Sequence, residues 1–313
     1  MALNNIILLF YKGFSWKFVC MGSFGIKFKG LIKLTKPLQW SKSFGNMLIG
    51  FVLASRFLSF DLALFLAGFI AVGPLLWSGL YTLNDFTDWK KDKLHPVKKN
   101  RPIPVGEVSP KLAFVIGIFL ILGAFVIAIF LNNFLFLVCL AAMLVNQVLY
   151  TFKPFEFKKK PVIDLISGSI INPFLRFYSG WVLVVPAFNA PIEIVLFILA
   201  VQFGGFTLYR LASTQHEKEQ GYKSSVVVFS QSAIKIVSYF GLGIGILAFL
   251  IAIFNGVLGL KFLWLAVLSF FAVPLYWKAI SSPQKMDMHK AYRTIYIHYF
   301  LFVIGFFVLE YYF

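Results

Sequence analysis

The sequence predicts an all-α, polytopic membrane protein whose helices surround a central cavity that opens on the cytoplasmic side. Three observations lead to the prediction of a polytopic membrane protein. The chain of 313 residues is 60% hydrophobic and only 13% charged, whereas soluble domains average about 25% charged residues. Its apolar residues are gathered into long runs. Its basic residues are concentrated in the loops between alternate runs.

Nine apolar runs are long enough to cross a bilayer, since a spanning helix needs about 20 mostly apolar residues. They lie near 38–56, 62–82, 111–131, 134–152, 162–186, 191–210, 228–254, 257–277 and 292–312. No segment outside them is large enough to fold alone. We therefore expect a single transmembrane domain over 37–313, preceded by an N-terminal arm at 1–36.

The predicted arm is basic and amphipathic. Between residues 11 and 36 it carries six lysines, several aromatic residues and no acid. This mixture suits a segment lying on an anionic membrane surface, and a disordered basic tail is the alternative. The first ten residues lack a basic start and a small-residue cleavage site, so we expect no cleaved signal peptide.

The basic residues are distributed unequally between the two sides of the membrane. Of the 29 Lys and Arg residues, 24 fall on one side when the helix ends are included, and only Arg56 and Lys261 fall on the other. The positive-inside rule places the crowded side in the cytoplasm. We expect an inner-membrane protein with a cytoplasmic N-terminus and an external C-terminus. This topology, rather than nucleic-acid binding, explains the net charge of +17.

The longest polar stretch follows the second predicted helix and reads LNDFTDWKKDKLHPVKKNRPIPVGEVS. If the helix continues, Asp85, Asp88 and Asp92 lie at i, i+3 and i+7 and share one face. Three carboxylates on one face repel each other unless a cation lies among them. Mg²⁺ suits this position, because it binds through carboxylates together with substrate phosphates. We predict that the three aspartates are metal ligands and catalytic residues; a solvated helix end of mixed charge is the alternative.

Polar and basic residues around the aspartates are candidates for binding the remaining phosphate charge. We assign Asn84, Lys98 and Arg101 to this role. The predicted ligands are therefore Mg²⁺ and a diphosphate-bearing substrate, bound where the polar loop meets the lipid-facing helices.

This aspartate-rich stretch resembles the first aspartate-rich motif of the UbiA superfamily of membrane prenyltransferases, which have nine transmembrane helices. A second stretch, YTFKPFEFKKKPVID, is similar to the segment at the start of the family's fifth helix. The resemblance extends from about residue 35 to the C-terminus. It implies that Tyr150, Pro154, Lys158 and Asp164 are motif residues, with Lys158 binding substrate.

Arg176 and Gly180 fit an Arg and a Gly that often follow in that family. Charged residues within membrane spans usually face a polar cavity or a partner. We predict that Arg176 contacts a phosphate or the acceptor; an ion pair with another helix is the alternative. Asp164 is not its partner in this prediction, since twelve helical residues separate the two by about 18 Å.

The segment between the sixth and seventh helices departs from the family pattern. Most members that use prenyl diphosphate carry a second Asp-x-x-x-Asp motif there, but residues 209–223 contain no Asp. Either Glu217 replaces the missing ligand, or no second Mg²⁺ is held in the usual way. Arg210 is a candidate for direct phosphate binding, and positive-inside charge alone is the alternative.

Two further stretches, KPLQWSK and HPVKKNRPI, resemble the polyprenyl-phosphate phosphoribosyltransferase branch of the superfamily. The resemblance implies a Mg²⁺-dependent intramembrane transferase that displaces diphosphate in a reaction with a polyprenyl lipid. An aromatic, quinone or lipid-ether prenyltransferase that uses prenyl diphosphate remains an alternative. A transporter is a third interpretation, against which the chain shows no duplicated motif. Expected partners are the polyprenyl substrate, the diphosphate substrate and membrane lipid.

Overall fold

The computed structural model describes residues 24–55, 61–94, 98–270, 281 and 288–312. These residues form helices and turns, with no β-strand among them, so the all-α prediction is confirmed for this part of the chain. The helices are α1 Phe24–Leu34, α2 Trp40–Ala54, α3 Leu62–Asp92, α4 Pro110–Phe130, α5 Phe134–Thr151, α6 163–181, α7 Ile192–Arg210, α8 Thr214–Glu219, α9 Ser225–Val228, α10 Gln231–Phe254, α11 Leu263–Phe270 and α12 Met288–Tyr312.

Five of the helices are long and apolar enough to cross a membrane. They are Leu62–Asp92, Pro110–Phe130, Phe134–Thr151, Gln231–Phe254 and the continuous helical stretch Ile192–Glu219, which contains α7 and α8. Helices α2, α6, α11 and α12 occupy the other four predicted spans. Within the described residues these four are shorter, more polar or less completely described than the five, so the number of nine spans stays a prediction.

Side-chain caps mark where several helices begin. Each of four capping residues accepts a hydrogen bond from the backbone N–H three residues later: Asp61, Ser109, Asn133 and Ser230. Such a cap satisfies one of the unpaired N–H groups of the first turn and contributes about 1 kcal/mol. The sequence therefore fixes these helix starts locally.

The outer surface of the bundle is apolar. Large side chains project from it with most of their area exposed, including Phe130 and Phe254 at 84% each. Soluble proteins rarely expose such extensive apolar surface, whereas lipid accommodates it without a penalty. A large buried cluster of aliphatic and aromatic residues fills the interior.

Two glycines bring α2 and α6 into backbone contact. A Cβ on Gly180 would lie 2.1 Å from the carbonyl oxygen of Met47, and one on Gly50 would lie 2.3 Å from that of Phe177. Small residues permit this close approach between membrane helices. Arg176, one turn before Gly180, is buried and lies near Lys42 of α2.

Helices α3 and α6 each contain a π-helical turn, at Ala71–Trp77 and Ser167–Ile171. The first includes Pro74, which cannot donate a helical hydrogen bond. Such turns often occur at functional sites. Here Asp85 follows the first turn, and the second turn lies between Asp164 and Arg176.

The described part of the predicted arm packs against the rest of the chain. Leu34 of α1 is buried with Ile103 and Val108, and Lys33 forms an ion pair of 2.8 Å with Glu107. Residues 30–34 therefore lie against the loop that follows the aspartates. Residues 1–23 lie outside the described residues, and the division of the chain at 36/37 stays a prediction.

Candidate active site

Helix α3 continues through all three aspartates and so places them on one face, as their spacing required. Asp85 and Asp92 are each 1% exposed, and Asp88 is half-buried. Buried carboxylates need charged or hydrogen-bonding partners. Basic residues from three separate segments of the chain provide them.

Arg101 bridges two of the aspartates. Its Nη1 atom lies 2.8 Å from Asp85 Oδ1 and 2.7 Å from Asp92 Oδ2. The ammonium of Lys36, at the end of the described arm, lies 2.7 Å from the same oxygen of Asp85. Arg101 therefore lies inside the aspartate cluster, and its binding of phosphate stays a prediction. The contact of Lys36 with Asp85 was not predicted from the sequence.

Lys158 forms an ion pair with the remaining aspartate, Asp88. Its ammonium donates to both carboxylate oxygens of Asp88, at 2.8 and 2.9 Å. Asn84 is adjacent, and its Oδ1 accepts from Lys158 and from the Thr151 hydroxyl at 3.4 Å each. Gln147 in turn donates to Thr151 at 3.1 Å. Helix α5 and the 152–162 loop are therefore tied to α3 through the two predicted residues Asn84 and Lys158.

The cluster contains more positive than negative charge. Lys98 joins Lys36, Arg101 and Lys158 around the three carboxylates and interacts with two of them. Burial lowers the pKa of Lys98, and the nearby charge of Arg101 adds to that shift. Burial also lowers the pKa of Lys36, against the opposing effect of Asp85. Four basic groups against three acids produce a site suited to an anion.

The site also fits a hard cation, because the buried Oδ2 atom of Asp85 has no hydrogen-bond partner. An unsatisfied buried carboxylate oxygen is a ligand of the type that Mg²⁺ prefers. Within the described residues, no three Asp, Glu, His or Cys side chains are grouped as metal ligands. The assignment of Asp85, Asp88 and Asp92 as metal ligands therefore stays a prediction.

A second charged cluster joins α6 to the connection between α7 and α10. Arg210 lies 2.7 Å from Asp164 and 2.7 Å from Glu217. Ser225 donates to Asp164 through its hydroxyl and its backbone N–H. Ser213 donates to Glu217 at 2.7 Å, and Ser224 donates to it as well. The binding of substrate by Arg210 and Glu217 stays a prediction, since here they bind each other.

The pairing of Asp164 with Arg210 was missed by sequence reasoning. The signal for it was weak: two opposite charges at the cytoplasmic ends of predicted helices five and six. Asp164 and Arg176 do not pair, in agreement with their separation along α6.

Arg176 is buried, at 4% exposed. Its guanidinium carbon lies 3.8 Å from the centroid of the Trp77 ring, and its Nε atom has no hydrogen-bond partner. In the described ranges no carboxylate forms an ion pair with it, so the alternative of a structural ion pair finds no support there. A contact with a phosphate or the acceptor stays a prediction.

The remaining motif residues lie in different surroundings. Trp40 donates through its indole N–H to Ser78 at 2.8 Å, which links the start of α2 to α3. Tyr150 interacts electrostatically with Arg210. Pro154 is exposed. The HPVKKNRPI motif is only partly described, since residues 95–97 lie outside the described residues.

Comparison with known families decides the relationship. The UbiA prenyltransferase family matches residues 43–304. This chain belongs to the UbiA prenyltransferase family. Together with its apolar helices, this membership makes it an integral membrane protein.

Three UbiA relatives illustrate the range of similarity. Protoheme IX farnesyltransferase of Leptospira biflexa is 38% identical over 99 residues, which cover 31% of this chain and 34% of the relative. Decaprenyl-phosphate phosphoribosyltransferase of Mycolicibacterium smegmatis is 28% identical over 174 residues, which cover 51% of this chain and 53% of the relative. 4-Hydroxybenzoate octaprenyltransferase of Francisella tularensis subsp. novicida is 30% identical over 219 residues, which cover 67% of this chain and 72% of the relative. The match thus spans only about a third of the length of the Leptospira relative and about half of the mycobacterial one.

Solved structures of UbiA proteins share the fold. A UbiA homolog from Archaeoglobus fulgidus, bound to GPP and Mg²⁺, superimposes with a TM-score of 0.72 and 19% identity. The superposition covers 90% of this chain and 99% of the homolog.

Proposed function

We propose that this UbiA-family chain is a Mg²⁺-dependent transferase that displaces diphosphate from an activated substrate within the membrane. The observation that supports it most is the Asp85 cluster, with its excess of basic groups and its unsatisfied carboxylate oxygen. We also propose that the chain resides in the inner membrane with this cluster on the cytoplasmic side, on the grounds of its charge asymmetry.

The chain's own residues suit the departure of a diphosphate. When bound by Asp85, Asp88 and Asp92, Mg²⁺ would neutralise charge that develops on the leaving group. Lys158 and Arg101 are placed to donate to phosphate oxygens beside these carboxylates. Asn84 can orient the substrate through its amide. The surrounding apolar helices exclude water from the cationic carbon that forms as the bond breaks.

For the substrates, we infer that phosphoribosyl diphosphate is the donor and a polyprenyl phosphate the acceptor. A phosphate oxygen of the lipid would bond to the anomeric carbon. The bond from that carbon to the diphosphate oxygen would break, and diphosphate would leave with the bonding electrons. Three features support this: the sequence motifs, the similarity to the mycobacterial phosphoribosyltransferase, and Glu217, whose carboxylate is already bound to Arg210.

A second candidate is transfer of a prenyl group from prenyl diphosphate to another acceptor. It is favoured by the similarity to the octaprenyltransferase, which covers more of the chain, and by the structural homolog bound to GPP. Both candidates use the Asp85 cluster for the leaving diphosphate. They differ in the number of phosphorylated substrates, which is two for the first and one for the second when its acceptor is neutral.

A two-arm assay with purified protein in detergent micelles distinguishes the candidates. One arm contains Mg²⁺, labelled phosphoribosyl diphosphate and a polyprenyl phosphate. The other contains Mg²⁺, labelled prenyl diphosphate and an aromatic acceptor. We expect ribosylated lipid, with diphosphate release that depends on the lipid. Prenylated product without ribosylated lipid would select the second candidate, and folded protein inactive in both arms would reject both.

A further inference from the structure

A second basic centre lies inside the bundle, separate from the aspartate cluster. Arg176 on α6 is almost completely buried, its Nε is unsatisfied, and among the described residues it has no carboxylate partner. A charge in the interior of a membrane protein is unfavourable unless a partner, a polar cavity or a ligand compensates it. The described protein supplies no compensating acid, which points to an anionic ligand.

The position of the Arg176 side chain is fixed by stacking. Its guanidinium lies over the Trp77 ring. One flat face of the guanidinium therefore contacts the ring, and its N–H donors point outward in the guanidinium plane. Lys42 of α2, which is half-buried, interacts electrostatically with Arg176. Two basic side chains on neighbouring helices therefore lie close enough to act on the same region.

Polar side chains from three more positions complete this centre. Asn46 and Gln202 exchange hydrogen bonds of 2.6 and 3.2 Å between their amides. The Tyr299 hydroxyl donates to Asn46 at 3.0 Å and interacts with Arg176. Lys42 and Asn46 lie four residues apart, on one face of α2. Helices α2, α6, α7 and α12 thus each contribute a polar side chain to this centre.

This centre is aligned with the aspartate cluster along α3. Trp77, Tyr81 and Asp85 follow at intervals of four residues and share a face. The Trp77 and Tyr81 rings lie 5.4 Å apart, and the Lys36 ammonium lies 5.4 Å from the Tyr81 ring. Eight residues of helix correspond to about 12 Å of rise. A group bound at Arg176 would therefore lie deeper in the membrane than a diphosphate at Asp85.

We propose that Arg176 and Lys42 bind a phosphate monoester of a reacting substrate, separate from the diphosphate at the aspartate cluster. A phosphate monoester carries about 1.5 to 2 negative charges at pH 7, which two basic groups match, and the guanidinium edge suits two of its oxygens. This proposal rests on the proposed function, in which the lipid acceptor and the ribosyl donor each carry such a group. Either one is a possible source, and the test distinguishes them.

The test measures binding to the full-length protein in micelles. Arg176→Gln is compared with Lys235→Gln, which removes a half-buried charge on α10 outside the two sites. The probes are a short prenyl phosphate, the corresponding prenyl alcohol, and phosphoribosyl diphosphate or inorganic diphosphate, each with Mg²⁺. We expect wild-type protein and Lys235→Gln to bind prenyl phosphate and to bind the alcohol weakly. In Arg176→Gln, affinity for prenyl phosphate should fall by about 10- to 100-fold, as for loss of a charged hydrogen bond.

The arms separate the two sources of phosphate. If the ribosyl donor supplies it, Arg176→Gln will instead lose affinity for phosphoribosyl diphosphate while keeping its affinity for inorganic diphosphate with Mg²⁺. Unchanged affinity for both phosphorylated probes would overturn the proposal. If Arg176→Gln does not fold, Lys42→Gln provides the same comparison, because it removes the second basic group of the proposed site.

A further pair of results separates this proposal from the proposed function. Phosphoribosyl transfer in wild-type protein, with unchanged KM values for both substrates in Arg176→Gln, would reject the phosphate site alone. Prenyl phosphate binding that depends on Arg176, in a protein that transfers only prenyl groups, would reject the proposed donor and leave the site standing.

Discussion

The two charged clusters on the predicted cytoplasmic side differ in how completely their oxygens are bonded. In the Asp164–Arg210–Glu217 cluster, all four carboxylate oxygens accept a hydrogen bond or an ion pair. In the Asp85 cluster one buried oxygen is unsatisfied, and basic groups outnumber acids. Carboxylate oxygens that are all bonded make a buried network rigid, whereas an unsatisfied buried carboxylate oxygen has capacity for a ligand. We infer that the first cluster stabilises the fold and that the second binds substrate.

The largest expected effect comes from the aspartates of the binding cluster. Asp85→Ala or Asp88→Ala should reduce turnover by at least about 10³-fold, because the bound metal stabilises charge on the leaving group. Turnover and thermal stability in micelles check this. Asp61→Ala is the matched control, since it removes an exposed helix cap at the opposite end of α3. Near-normal turnover of either active-site variant at saturating Mg²⁺ would reject the site.

A smaller loss is expected at the basic side of the same cluster. Lys158→Gln should reduce kcat/KM by about 10²-fold, as for loss of a charged hydrogen bond to the diphosphate. The neighbouring Lys159→Gln is the control, because Lys159 pairs with Glu156 rather than with the aspartates. Steady-state kinetics for both variants test the prediction, and equal losses in the two would contradict it.

In the bonded cluster the expected loss is in stability. Glu217→Gln should lower the free energy of unfolding by about 1–3 kcal/mol, since it weakens a charged partner of buried Arg210. Unfolding in detergent and the Mg²⁺ dependence of turnover are both measured. A changed Mg²⁺ dependence with unchanged stability would show instead that Glu217 replaces the missing metal ligand.

Single cysteine substitutions at the surface, which should affect activity least, test whether both clusters lie on the same side of the membrane. On a background lacking Cys20 and Cys139, single cysteines replace the exposed residues Lys99, Lys218 and Asn189. A membrane-impermeant reagent should label the first two from the cytoplasmic side and the third from the outside. Labelling of Lys99→Cys and Asn189→Cys from one side would defeat the nine-helix topology.

The sequence alone determined the features that depend on local periodicity and composition. Apolar runs predicted helices exposed to lipid, because the backbone in a bilayer must satisfy its own hydrogen bonds. The spacing of Asp85, Asp88 and Asp92 predicted a shared face, because helix geometry repeats every 3.6 residues. The motifs that predicted the UbiA family are equally local.

Only the tertiary structure decided which charges meet. Lys36 contacts Asp85, which is 49 residues away along the chain. Arg210 at the end of α7 forms an ion pair with Asp164 of α6. Such pairs depend on how helices cross, and the crossing of α2 and α6 is set by the Gly50 and Gly180 contacts. Residue spacing within one helix carries no information about the neighbour it will contact. The sequence could therefore nominate the charged residues, but only packing assigned their partners.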